Sequence, residues 1–109
     1  MDEQDRSEVL NPDSYNGWKN YETWAVALWI DNDQGSYEQS RQLARDVLTS
    51  GQETRTHAGA LADALQEVTT YEMPDLGASV WTDLLNAAVS EVDWYEIAEN
   101  YLQDVSETV

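Results

Sequence analysis

The sequence predicts an all-α fold, a compact bundle of about five short helices around a central helix rich in tryptophan and tyrosine. Three observations carry that expectation. Apolar residues recur at three- and four-residue intervals in five separate segments, the spacing that lines one face of a helix. Asn20, Ser36, Ser79 and Ser90, all suited to helix caps, stand before four of those segments. No run alternates apolar and polar residues for more than a few positions, so nothing reads as a strand.

The first helix is expected over Tyr21–Asn32 with Asn20 as its N-cap. Tyr21, Trp24, Ala25, Leu28 and Trp29 cover one broad face, and Val26, Ala27 and Ile30 lie on the other side. A helix apolar nearly all round is expected at the centre of a fold. Gly35 is the expected cap or turn at its end. Ser36 then opens a second helix to about Thr49, with Gln39 completing a capping box and Tyr37, Leu43, Ala44, Val47 and Leu48 facing inward. Ser50-Gly51 closes it.

The third helix, from about Thr56 to Tyr71, aligns Ala58, Leu61, Ala62, Leu65 and Val68, and Met73-Pro74-Asp75 stops it. Ser79 caps a short fourth helix with Trp81, Leu84, Leu85 and Ala88 expected inward. Ser90 with Asp93 opens the fifth, whose Trp94, Ile97, Ala98, Tyr101, Leu102 and Val105 form the cleanest stripe of all. Residues 1–13 read as an acidic, poorly ordered N-terminal arm, and residues 14–109 as a single helical domain.

Charge narrows the function classes. The 109 residues hold 22 Asp and Glu against five Lys and Arg, a net charge of −17. Affinity for nucleic acid comes largely from basic groups on phosphates, so direct binding is not expected. An anionic membrane surface is disfavoured for the same reason. Two readings of the acidity remain. In molar salt the Debye length shrinks to about 3 Å and the self-repulsion is screened. The single lysine, the absence of phenylalanine and the even scatter of acids suit such a halophilic cytoplasm. The alternative is a DNA mimic that inhibits a restriction, CRISPR or other DNA-binding system. Such a decoy gathers its carboxylates on one face, and here they occur throughout the chain.

No cysteine is present, which excludes disulfides, thiolate metal sites and a cysteine nucleophile. No apolar stretch is long enough to span a membrane, and Met1–Asp5 lacks the features of a signal peptide. A cytoplasmic protein is expected.

The segment Asn16-Gly17-Trp18-Lys19-Asn20-Tyr21-Glu22-Thr23-Trp24, continued by Ala27-Leu28-Trp29 and Asp31-Asn32-Asp33, carries a resemblance. It resembles the core motif N-G-W-x-N-Y-E-T-W-N of an uncharacterised family of small proteins from phages, plasmids, bacteria and haloarchaea. Residues 83–94, with Glu96-Ile97-Ala98, resemble that family's C-terminal half, so the likeness spans most of residues 16–102. Ala25 stands where such proteins usually carry asparagine. The resemblance implies a shared fold and a setting among mobile elements. It implies no reaction, and no catalytic residue carries over.

Several candidate sites follow from residue chemistry. Trp18, Tyr21, Trp24 and Trp29 are either core or a binding surface, since aromatic rings dominate both. Glu22, between Tyr21 and Trp24, is either a helix-dipole or loop-donor partner or an acid beside indoles. Asn16, Trp18, Lys19, Tyr21 and Glu22 form the candidate interaction patch, with the sole lysine as contact point or partner of Glu22. Asp31 and Asp33 suggest at most a weak cation site, because Gly35, Ser36 and Gln42 fall out of register for a calcium loop. His57 is the only histidine and has no partner set for a metal or a thiol dyad. No cofactor and no metal is expected. The reading is a non-enzymatic protein-interaction module adapted to high salt, with an unknown protein partner; a small hydrolase is the minor alternative.

Overall fold

Asn20 sets the start of the first helix. Its backbone is extended and its side-chain oxygen accepts from the Thr23 N–H at 2.9 Å, pairing one of the donors a helix start leaves free. This helix, α1 (Tyr21–Asn32), is followed after one residue by α2 (Gln34–Thr49). The structure, a computed structural model, describes residues 14–50 and 56–107. The expected N-terminal arm and Gly51 lie outside the described residues.

Asp33 caps α2, its carboxylate accepting from the Ser36 hydroxyl at 2.7 Å and the Ser36 N–H at 2.9 Å. Those two bonds hold the Asp33 carboxyl below the usual carboxylate range. The second helix therefore begins two residues ahead of Ser36, and Gly35 sits inside its first turn. Thr56 caps α3 (His57–Tyr71) through Gly59 N–H at 2.9 Å, and Ser79 caps α4 (Val80–Ser90) through Thr82 N–H. At the start of α5 (Trp94–Glu107), Asp93 accepts from Glu96 N–H at 3.1 Å. Asp93 alone makes that cap, because Ser90 is the last residue of α4 and bonds back to Ala87 C=O.

The five expected helices are present and the described residues hold no strand, so the fold is an all-α bundle. Its centre differs from expectation. Helix α5 buries Ile97, Ala98, Tyr101 and Val105 against α2 and α3, which bring Ala44 and Leu61, Ala62 and Leu65. Helix α1 lies on this core through one narrow line, Thr23, Ala27 and Ile30, at i, i+4 and i+7. The broad aromatic face of α1 points outward, with Trp29 75 % and Tyr21 55 % exposed. The small side chains of Thr23 and Ala27 let α1 approach its neighbours, which a row of indoles would prevent.

Helix α4 departs further. It buries no residue fully, and no other helix packs closely along it. Trp81 and Leu84, expected inward, are 65 % and 55 % exposed, while Leu85, Ala88 and Val89 are half-buried. In α2, Leu48 is likewise more exposed than its spacing suggested.

Candidate functional site

The tryptophan motif acts first as a structural joint. Tyr15 and Trp18 exchange both backbone hydrogen bonds at 2.8 Å around Asn16 and Gly17. Both central residues have positive φ, 48° and 89°, the pattern of a primed turn, for which Asn-Gly is the favoured pair. Asn20 then bonds in two directions: its oxygen holds Thr23, and its amide donates to Glu91 C=O at 2.7 Å. The Thr23 hydroxyl accepts from Asp93 N–H at 2.8 Å, and Lys19 N–H donates to the Glu96 carboxylate at 2.9 Å. The start of α1 is thereby fastened to the junction between α4 and α5.

The residues of the candidate patch separate into two groups. Lys19, Tyr21 and Glu22 share one shallow hollow with Ser14, Tyr15, Asn20 and Glu91. Tyr21 and Trp24 close on Tyr15 with ring centroids 5.2 and 4.9 Å away, an aromatic cluster at the surface. Asn16 is exposed on the turn tip. Trp18 instead turns to the other side, packs on the core and lines a separate cleft. Among the described residues Lys19 makes no ion pair; its backbone partner is Glu96, the carboxylate that the sequence reading did not single out.

That cleft, about 310 Å³, is lined by Trp18, Ala27, Asp31, Tyr37, Asn100, Tyr101 and Asp104. Its polar groups pair within the cleft wall. Tyr101 donates its hydroxyl to Asp31, Arg41 pairs with Asp104, and the Arg41 guanidinium lies 5.7 Å from the Tyr37 ring centre. Burial, then the Asp31 carboxylate, push the Tyr101 hydroxyl well above the ordinary tyrosine range. Asp31 and Asp33 are thus engaged by Tyr101 and by the start of α2. His57 is exposed at the first position of α3. Among the described residues no group of three His, Asp or Glu is placed to hold a metal.

The most distinctive surface lies elsewhere, and residue-by-residue reading missed it. Val26, Trp29, Met73, Leu85, Val89 and Trp94 line a groove of about 690 Å³ between α1, the end of α3 and α4. The Trp94 indole N–H, buried in its wall, has no hydrogen-bond partner. Beyond the groove, Val80, Trp81 and Leu84 continue the apolar surface along α4. At 100° per residue, Val80, Trp81, Leu84, Leu85, Ala88 and Val89 fill about half the helix circumference. Only the Leu85–Val89 edge meets the groove. The signal was present in composition: residues 76–90 hold one charged side chain, Asp83, where a quarter of the chain is charged.

No helix among the described residues is long and apolar enough to cross a membrane. No curated protein and no solved structure matches the chain. A family model covers residues 11–108, nearly the whole sequence and both halves of the joint described above. The chain belongs to that family, DUF7249, a family of unknown function.

Proposed function

We propose that this protein is a non-enzymatic interaction module adapted to high salt in a halophilic cytoplasm. The observation that supports the interaction reading most is the open apolar face of α4. Trp81, Leu84 and Val80 are each more than half exposed, on a chain that carries a net charge of −17. A chain so charged has ample means to stay dissolved, and a tryptophan held out of its own core suits an interface anchor. The polar groups around Tyr101 fit the same reading. They pair with one another rather than presenting a nucleophile and base to a bound molecule. A mobile-element origin, suggested by the tryptophan motif, belongs to the same proposal.

The test is capture from a host lysate in molar KCl with the full chain as bait, beside a Trp81→Asp bait. The expected result is a retained protein, this chain or another, that the variant fails to hold. Identical capture by both baits overturns the interaction role of this face.

A further inference from the structure

We infer that the cleft walled by Trp18, Tyr37 and Tyr101 binds a small organic cation of the class that carries a methylated ammonium group. The site is independent of the α4 face, because the cleft and the groove beside α4 share no lining residue.

Three aromatic side chains from separate parts of the chain meet at this cleft. Trp18 comes from the turn before α1, Tyr37 from the start of α2 and Tyr101 from α5. The Tyr37 and Tyr101 rings lie 6.1 Å apart and are tilted by 55°, so they form an angled wall rather than a stack. Ring faces carry negative potential that attracts cations, and groups of such rings hold quaternary ammonium ligands. The protein already places one cation in this way, with the Arg41 guanidinium 5.7 Å from the Tyr37 ring centre.

Charge fixes the valence. Two carboxylates line the cleft, Asp31 and Asp104, and Arg41 pairs with Asp104. Asp31 accepts from the Tyr101 hydroxyl, a neutral donor, and has no cation beside it among the described residues. Two carboxylates against one guanidinium leave a single negative charge. Burial first, then Asp31, Tyr37 and Asp104, raise the Tyr101 pKa, so both carboxylates act on the same part of the cleft. A monovalent cation balances that charge. The volume of about 310 Å³ stands at the low end of the ~300–1,000 Å³ found for ligand sites and suits a small headgroup. In molar salt K⁺ competes for the carboxylate, but its tight water shell keeps it from the rings. A methylated ammonium sheds water readily and gains from both.

The experiment titrates the full ¹⁵N-labelled chain in molar KCl with choline and, separately, with 3,3-dimethyl-1-butanol, the neutral molecule of the same shape. The expected result is a saturable shift of the Trp18 indole N–H and the Asn100 side-chain amide with choline and none with the alcohol. Asp31→Asn keeps an acceptor for Tyr101 and removes the charge; Tyr37→Leu removes a ring. Each should raise the choline dissociation constant at least ~5-fold, with circular dichroism verifying the fold. Absence of a saturable shift overturns the site. Equal binding of the alcohol overturns the cation assignment, and so do two folded variants that bind as the parent does. A trimethyl-lysine peptide separates the two sources of this group. Tighter binding than choline assigns the cation to a protein side chain, and equal or weaker binding assigns it to a free small molecule.

Discussion

Thr23 and Asp93 are joined across seventy positions of sequence by a 2.8 Å hydrogen bond from the Asp93 N–H to the Thr23 hydroxyl. Thr23 is fully buried, and the same hydroxyl donates to Asn20 at 2.6 Å. Each group in this chain uses the next: Asn20 spans to Glu91 C=O, Thr23 to Asp93, and Asp93 in turn caps α5. Asn20 and Thr23 are therefore the parts of the tryptophan motif that determine how its helix docks. Tyr21 and Trp24, beside them, stay at or near the surface.

Replacing Thr23 by valine keeps the shape and removes both bonds. The Asp93 N–H is then left without its side-chain acceptor in a part-buried setting, at a cost of about 1–3 kcal/mol. Denaturant unfolding in molar KCl measures it. Thr23→Ser, which retains the hydroxyl, should lose clearly less. A Thr23→Val chain as stable as the parent, with the loss confined to Thr23→Ser, would show that the methyl group, not the hydroxyl, matters there.

The same joint explains what could be read in advance. Helix positions were legible because caps and apolar spacing are local: Asn20 and Ser79 cap as their sequence positions suggest, while Asp33 takes the cap read at Ser36 and Asp93 alone makes the one read at Ser90 with Asp93. Which face a helix buries depends on its neighbours. Helix α1 carries large apolar side chains on both sides, and its packing is decided by Thr23 and Ala27, whose small size permits close approach. Helix α4 has a clear apolar half that spacing assigned to the core, yet no neighbouring helix covers it. Periodicity finds an apolar face but does not say which molecule meets it. Of the candidate patch, the turn at Asn16-Gly17 is the local part, since Asn-Gly is the pair a primed turn favours. The division of Trp18 from Lys19, Tyr21 and Glu22 depends on distant Tyr37, Tyr101 and Glu91.

Trp24 provides a quantitative check on that reversal. Its ring packs edge-on against Tyr15 and tilted against Tyr21 at 5.5 Å, half-buried at the surface. Trp24→Ala is expected to cost about 1–2 kcal/mol, the value of a part-buried ring and its aromatic contacts. Leu61→Ala, in the closed core, is expected to cost about 2–5 kcal/mol. Urea midpoints for the two variants check the order, and a larger loss at Trp24 would place that ring among the main supports of the fold.

Stability should rise with salt. A net charge of −17 on 109 residues opposes compaction, and screening relieves it as the Debye length falls from about 10 Å at 0.1 M to 3 Å at 1 M. Thermal melts across KCl concentrations are expected to climb throughout that range. A melting temperature independent of KCl would remove salt adaptation from the proposed function.

Tyr101 gives the fold an alkaline edge. Folding raises its pKa, through burial first and then through the Asp31 carboxylate that accepts its proton. A group raised in this way contributes its full stability below its unfolded value, about 10, and loses it as the pH climbs past that value. The reason is that the unfolded chain then releases a proton the folded chain retains. Tyr101→Phe should cost about 1–2 kcal/mol at neutral pH through the lost hydrogen bond. It should also flatten the decline above pH 10, so the two unfolding curves converge there. Parallel decline in both proteins would assign the alkaline loss to other groups.

The Asn16–Lys19 loop separates a clamp from a contact point. Trp18 packs on the core cluster and closes the turn through its backbone pair with Tyr15. Lys19, one residue on, projects from an exposed position and contributes its backbone N–H to Glu96. Trp18→Ala therefore removes packing at the mouth of the Tyr37–Tyr101 cleft and should cost about 2–3 kcal/mol, somewhat below a fully buried tryptophan. Lys19→Ala keeps the backbone bond and should leave stability within about 0.5 kcal/mol of the parent. Paired denaturation and capture measurements distinguish the roles. If Trp18→Ala unfolds more easily but binds normally once folded, Trp18 is a clamp. A Lys19→Ala chain of unchanged stability that loses its partner would instead make the Lys19, Tyr21 and Glu22 hollow a second contact surface, separate from α4.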